Sequence, residues 1–122
     1  MPEFAATLAA ADPDAVALAD PHRDLTWSEV NDTLNRCANL LIGMDLGPKR
    51  RIAVFSENAS ETALAHLGGL LAGCSTVPVN FHLTAEEAAY IVGDSESRVI
   101  FCDETTSERA QHAAETLSLI HI

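Results

Sequence analysis

Three short runs of branched and aromatic residues constrain this chain more than any other feature. They are Arg51-Ile-Ala-Val-Phe55, Thr76-Val-Pro-Val79 and Arg98-Val-Ile-Phe-Cys102. Each has strand length, and none alternates apolar with polar as a strand with one wet face does. The chain between them suffices for one helix and its turns. Strands alternating with single helices imply βαβ units and a parallel sheet, joined by right-handed crossovers. Pro78 has no N–H to donate, so its strand belongs at a sheet edge or a strand end.

The intervening segments carry helix punctuation. Ser60 starts a helix with Leu64, Leu67 and Leu71 on one face, and Gly73 stops it. Thr84-Ala-Glu-Glu87 is a capping box, with Leu83 and Ala88 at the staple positions. The helix it opens carries Ile91 and Val92 and ends at Gly93. A polar helix should run from about Ser107 to Thr116. Upstream, Asp12-Pro13-Asp14 breaks any leading helix, and residues 15–26 read as a β-hairpin turning through Asp20-Pro-His-Arg-Asp24. Thr26-Trp-Ser-Glu29 is a second capping box. Trp27, Val30, Leu34, Cys37 or Ala38, and Leu41 then recur at helical spacing, with an end near Gly43 and a hard stop at Gly47-Pro48. The expected fold class is α/β: an N-terminal β-hairpin, then βαβ units forming a partial parallel sheet with flanking helices, an incomplete domain.

Bulk properties exclude several functions. The formal net charge is −11, so a basic nucleic-acid footprint is absent and attraction to an anionic membrane is not expected. Residues 63–79 are apolar but broken by His66, three glycines and Pro78, which rules out a membrane span. The N-terminus has no basic region of the kind that opens a signal peptide. Cys37, Cys74 and Cys102 form no CxxC pair and read as small hydrophobes of a reducing cytoplasm.

The chain carries few groups arranged for chemistry. Gly68-Gly69 lies within a helix rather than at a strand-to-helix turn, so close packing explains it better than phosphate binding. Lys49, the sole lysine, sits in a turn. His22, His66, His82, His112 and His121 have no metal-ligand spacing and read as surface or loop residues. The carboxylate pairs Asp12/Asp14, Glu86/Glu87 and Asp103/Glu104 fall in turns or at helix starts, where acids suit the backbone dipole.

Eight words in fixed order nevertheless resemble a family. Asp14-Ala-Val-Ala-Leu-Ala-Asp and Leu25-Thr-Trp-Ser-Glu-Val come first, then Ala38-Asn-Leu-Leu. Arg51-Ile-Ala-Val-Phe-Ser-Glu-Asn and Leu70-Leu-Ala-Gly-Cys-Ser-Thr-Val-Pro-Val-Asn follow, then Leu83-Thr-Ala-Glu-Glu. Ile91-Val-Gly-Asp-Ser and Arg98-Val-Ile-Phe-Cys-Asp close the match. Over residues 12–103 this is similar to the opening of adenylate-forming acyl-CoA synthetases, the AMP-dependent synthetase/ligase family. The resemblance implies an enzyme that activates a small-molecule carboxylic acid with ATP and Mg and passes the acyl group to coenzyme A. It implies a cytoplasmic ligase of fatty acid metabolism. The family's phosphate loop and catalytic lysine lie beyond the matched region, so no catalytic residue and no metal ligand is assigned. Residues 1–116 are then expected to be the N-terminal part of the synthetase's large domain, inactive and marginally stable alone, with ATP, Mg and coenzyme A belonging to the full-length enzyme and none bound tightly by this segment.

One site residue carries over. After Val79-Asn80 the family places an aromatic or proline and then a basic residue; here these are Phe81 and His82, which implies that His82 approaches coenzyme A. A loop histidine before a helix cap is the plain alternative. Residues 117–122, Leu-Ser-Leu-Ile-His-Ile, read as an adapter-derived tail, with a native strand beginning at Leu117 as the alternative. Two other functions stay open: a self-contained acidic α/β binding module without activity, and the opening of an adenylation domain serving a carrier protein or of a luciferase-like oxidase. Oligomeric state is not legible.

Overall fold

The computed structural model describes residues 4–57, 59–117 and 119–122. Asn58 of the Arg51–Asn58 word, Ser118 of the tail and residues 1–3 lie outside them. The elements are α1 (Phe4–Ala11), β1 (Val16–Ala19), β2 (Asp24–Thr26), α2 (Trp27–Ile42), β3 (Arg51–Phe55), α3 (Ser60–Leu71), β4 (Ser75–Pro78), α4 (Ala85–Asp94), β5 (Val99–Cys102), α5 (Ser107–Leu117) and β6 (Ile120–His121). None of these helices is long and apolar enough to cross a membrane.

β1 and β2 form the expected antiparallel hairpin, with a register shift between Val16 and Leu18. The other strands form a parallel sheet in the order β4-β3-β5-β6. Pro78 therefore sits on an edge strand, where its missing N–H is harmless. Successive strand residues face opposite layers. Ile52 and Val99 pack with Ala38, Leu41 and Leu46 on one face. Ala53, Phe55 and Ile100 pack with Ala88, Val92, Ala110 and Ala113 on the other. Covering helices on both faces explain why the strand words are apolar throughout rather than alternating.

Both capping boxes form. The hydroxyls of Thr26 and Thr84 accept from the amides of Glu29 and Glu87, and each glutamate accepts from the amide of its threonine. Leu83 and Ala88 share one core cluster, as staple positions should. Gly68-Gly69 is a packing device in two directions. A Cβ on Gly68 would lie 2.5 Å from Cys37 Sγ of α2, and one on Gly69 would lie 2.6 Å from Ile52 Cδ1 of β3. The first glycine admits a helix and the second admits the sheet.

The structure adds two elements. α1 precedes the Asp12-Pro13 break and docks Phe4 edge-on against Trp27, at 6.2 Å between ring centroids. Leu117 ends α5, and the backbone at Ile120–His121 then pairs with Val99 and Ile100 of β5.

Candidate functional site

Parallel strands deliver their carboxyl ends, and the loops that follow, to one edge of the sheet. β3 leads through α3 on one face to β4. β5 leads through α5 on the opposite face to β6. The chain therefore diverges between the neighbouring strands β3 and β5, which opens a crevice at that point of the edge. A cavity of about 700 Å³ occurs there, lined by Asp20, Arg23, Glu57, Glu61, Asp103 and Glu104 among others.

Two aspartates hold its walls together. Ala59, at the N-cap of α3, has no side chain to cap with. Asp20 reaches over from the hairpin instead: its Oδ2 accepts from the Ser60 amide at 3.0 Å, and its Oδ1 accepts from the amides of His22 and Arg23 at 2.8 and 3.0 Å. The Ser60 amide, followed by the other donors, holds the Asp20 carboxyl far below the ordinary aspartate range. Arg23 pairs with Glu61 on α3 at 2.7 Å, a second tie between hairpin and helix.

Asp103 joins the β3–α3 and β5–α5 loops. Its Oδ2 accepts from the Glu57 amide at 2.8 Å and its Oδ1 from the Thr106 amide at 3.0 Å. Partial burial opposes its ionisation, but these donors outweigh burial and the carboxyl stays below its ordinary value. The fully buried Thr106 hydroxyl accepts from the Asp103 amide and donates to the carbonyl of Phe55, the last residue of β3. The acids at 86–87 and 103–104 thus include two backbone partners, Glu87 and Asp103, as their positions suggested.

The β4–α4 loop, residues 79–84, lies on the same edge but outside the crevice lining. Asn80 Oδ1 accepts from the His82 amide at 2.9 Å, and the Asn80 carbonyl accepts from the Leu83 amide at 3.1 Å. The exposed His82 stands against the Phe81 ring, with centroids 4.2 Å apart and planes 38° apart. An exposed imidazole beside an aromatic ring suits a purine face or a phosphate, so this loop has groups compatible with a nucleotide-bearing thiol such as coenzyme A.

The crevice does not suit ATP. The helix N-termini at such a point normally attract phosphate. Here the amides of Ser60 and Thr106 are taken by the chain's own carboxylates, and Glu57, Glu61 and Glu104 add negative charge. Among the described residues, no three His, Cys, Asp or Glu side chains converge on a metal position. No phosphate or metal step is assigned to these residues.

The remaining singled-out residues have structural places. Lys49 pairs with Glu96 across the turns at the opposite, amino edge of the sheet. His66 is neither a surface nor a loop residue: it lies half-buried on α3, with Nδ1 2.9 Å from Thr76 Oγ1, and burial lowers its pKa. The three cysteines are free, and Cys74 is buried. Sequence reasoning missed Asp20 as the cap of α3 and missed Arg109, whose guanidinium reaches the β4–α4 loop. Only the missing cap residue before Ser60 hinted at the first, and nothing local hinted at the second.

Comparison with known proteins agrees with this fold. The profile of the AMP-binding enzyme family matches residues 5–121. Tyrocidine synthase 3 of Brevibacillus parabrevis is 35% identical over 88 residues, 72% of this chain and 1% of that protein. A 4-hydroxybenzoate–CoA/benzoate–CoA ligase of Rhodopseudomonas palustris is 29% identical over 102 residues, 84% of this chain and 19% of that protein. The crystal structure of a benzoate CoA ligase from Burkholderia xenovorans LB400 superposes with a TM-score of 0.87 at 22% identity, covering 98% of this chain and 24% of that one. The chain therefore spans a fifth or less of each of these two curated relatives. With its hairpin, partial parallel sheet and family match from end to end, this chain belongs to the AMP-binding enzyme family.

Proposed function

We propose that the chain forms part of an ATP-dependent ligase that converts a carboxylic acid to an acyl-adenylate, with release of pyrophosphate, and then to a coenzyme A thioester. The family match over residues 5–121 carries this reading. The similarity to a named CoA ligase over 84% of the chain supports the choice of acceptor. ATP would supply the activated leaving group and Mg its charge neutralisation. ATP would be bound by segments other than this one, because the carboxylates that line the crevice here repel its phosphates, and Mg would accompany those phosphates. The role proposed for these residues is scaffolding, with His82 offering an exposed imidazole to coenzyme A. A cytoplasmic setting and a place in fatty acid metabolism belong to the same proposal. So does the adapter origin of residues 117–122, which sequencing the source locus tests: native codons there retire it.

His82→Ala, in an enzyme containing this segment, should raise the KM for coenzyme A and leave ATP–pyrophosphate exchange unchanged. An unchanged KM for coenzyme A retires the role of His82. The 122-residue chain alone should show only background exchange. A second reading, an adenylation domain that loads a carrier protein, is favoured by the 35% identity to tyrocidine synthase 3. Acyl transfer to a carrier protein but not to coenzyme A would select it.

A further inference from the structure

Arg109 does something no other cation of the chain does among the described residues. From α5 its Nη1 donates to the carbonyls of both Phe81 and Leu83, at 2.8 and 2.6 Å, and its guanidinium lies 5.1 Å from the Phe55 ring centroid. Nη2 is 3.5 Å from the Thr105 carbonyl. One side chain thereby ties the end of β3, the β4–α4 loop and the β5–α5 loop together. No carboxylate of the described residues pairs with it, so carbonyl dipoles receive its charge. A planar fork of donors can serve several carbonyls at once, which the point charge of lysine does poorly.

The two carbonyls held on the loop flank His82, and the His82 amide is itself bonded to Asn80. Arg109 and Asn80 therefore hold the Phe81–His82 peptide unit from its carbonyl and its amide. Asn80 also holds the His82–Leu83 unit through the Leu83 amide, and Arg109 holds the Leu83–Thr84 unit, while the His82 side chain remains exposed against Phe81. That is the arrangement of a contact group set in place before its partner arrives, which lowers the ordering cost of binding.

We infer that Arg109 is a positioning residue that sets the Phe81–His82 pair through the carbonyls of Phe81 and Leu83. Its functional half rests on the reading above, in which that pair meets coenzyme A. The structural half stands on the hydrogen bonds alone.

Proton NMR and amide exchange on the whole chain test it, with Arg109→Gln, Arg109→Lys and His82→Ala. In the parent chain the Phe81 ring should displace the His82 ring-proton resonances from their free values. Arg109→Gln should remove most of that displacement and accelerate His82 amide exchange by about tenfold or more, while β3 and β5 amides keep their protection. Arg109→Lys should fall between. Unchanged His82 signals in both variants overturn the inference. So does uniform loss of protection in both, which would mark Arg109 as a general support of the fold. If Arg109→Gln unfolds, Arg109→Lys decides by the same signals. Coenzyme A is then titrated into an enzyme containing this segment and into its Arg109→Gln variant. Weaker binding by about fivefold or more in Arg109→Gln supports the functional half, and equal binding overturns it. No response in the parent enzyme retires the coenzyme A reading, and the ring signature still decides whether Arg109 positions the loop.

Discussion

Replacing Gly68 by alanine probes how closely α2 and α3 cross. The added Cβ would lie 2.5 Å from Cys37 Sγ and 2.8 Å from Cys37 Cβ. Carbon contacts are optimal at roughly 3.5–4.0 Å, so about 1 Å of separation must be found. The thiol could rotate away, but the Cys37 Cβ is rigidly attached to its backbone, so the helices themselves must part. Overpacking of this kind costs about 1–3 kcal/mol. Against it stands a gain of about 0.8–1 kcal/mol from helix propensity. The net expectation is a loss of up to about 2 kcal/mol, centred near 1 kcal/mol or roughly 3–6 °C in melting temperature for a domain of this size. Urea denaturation followed by Trp27, the chain's single tryptophan, measures it. The midpoint should fall with the slope unchanged. Gly43→Ala is the control, because its Cβ would meet nothing nearer than 3.6 Å and its φ is −77°. It should be close to neutral. Adding Cys37→Gly to Gly68→Ala should recover about 1 kcal/mol or more as coupling in a double-mutant cycle. Zero coupling to position 37 would refute the close-crossing argument.

Other perturbations read the loops. Thr84→Ala removes one half of a capping box and should cost about 1 kcal/mol; Thr84→Ser should recover most of it in the same melting assay. Asp20 and Asp103 have folded pKa values below the ordinary 3.8, so the unfolded chain binds protons more tightly than the folded one. Their contribution should be complete above that value and disappear as pH falls through the lower folded values. A pH series of melting temperatures for Asp103→Asn should be flatter between about pH 5 and 2 than the parent's; parallel curves would contradict the assignment. Asp20→Ala should speed exchange in the first turn of α3 and leave α4 unaffected, since only the former is capped from the hairpin.

Local chemistry was legible wherever its partners are near in sequence. Thr26 with Glu29 and Thr84 with Glu87 close their boxes within four residues, so spacing alone revealed them. The strand words and Pro78 at an edge were legible because burial on both faces and a missing N–H act residue by residue. The order β4-β3-β5-β6, by contrast, depends on which helix covers which face, and that is a property of the packed layers. β6 pairs through backbone groups that every sequence possesses, so its letters left a strand and a tail as alternatives.

The candidate site divides along the same line. His82 was placed on an exposed loop by its neighbours Asn80 and Thr84, and it lies there. Asp20 and Arg109 acquire their roles only when the hairpin meets α3 and when α5 meets the β4–α4 loop, across 40 and 28 residues of chain. By itself the sequence determined most of the elements, the two capping boxes and the family, because periodicity, capping and turn chemistry act over a few residues. Tertiary structure alone decided which carboxylates close the crevice and which cation holds the loop, because hydrogen bonds between distant segments exist only after the layers have packed.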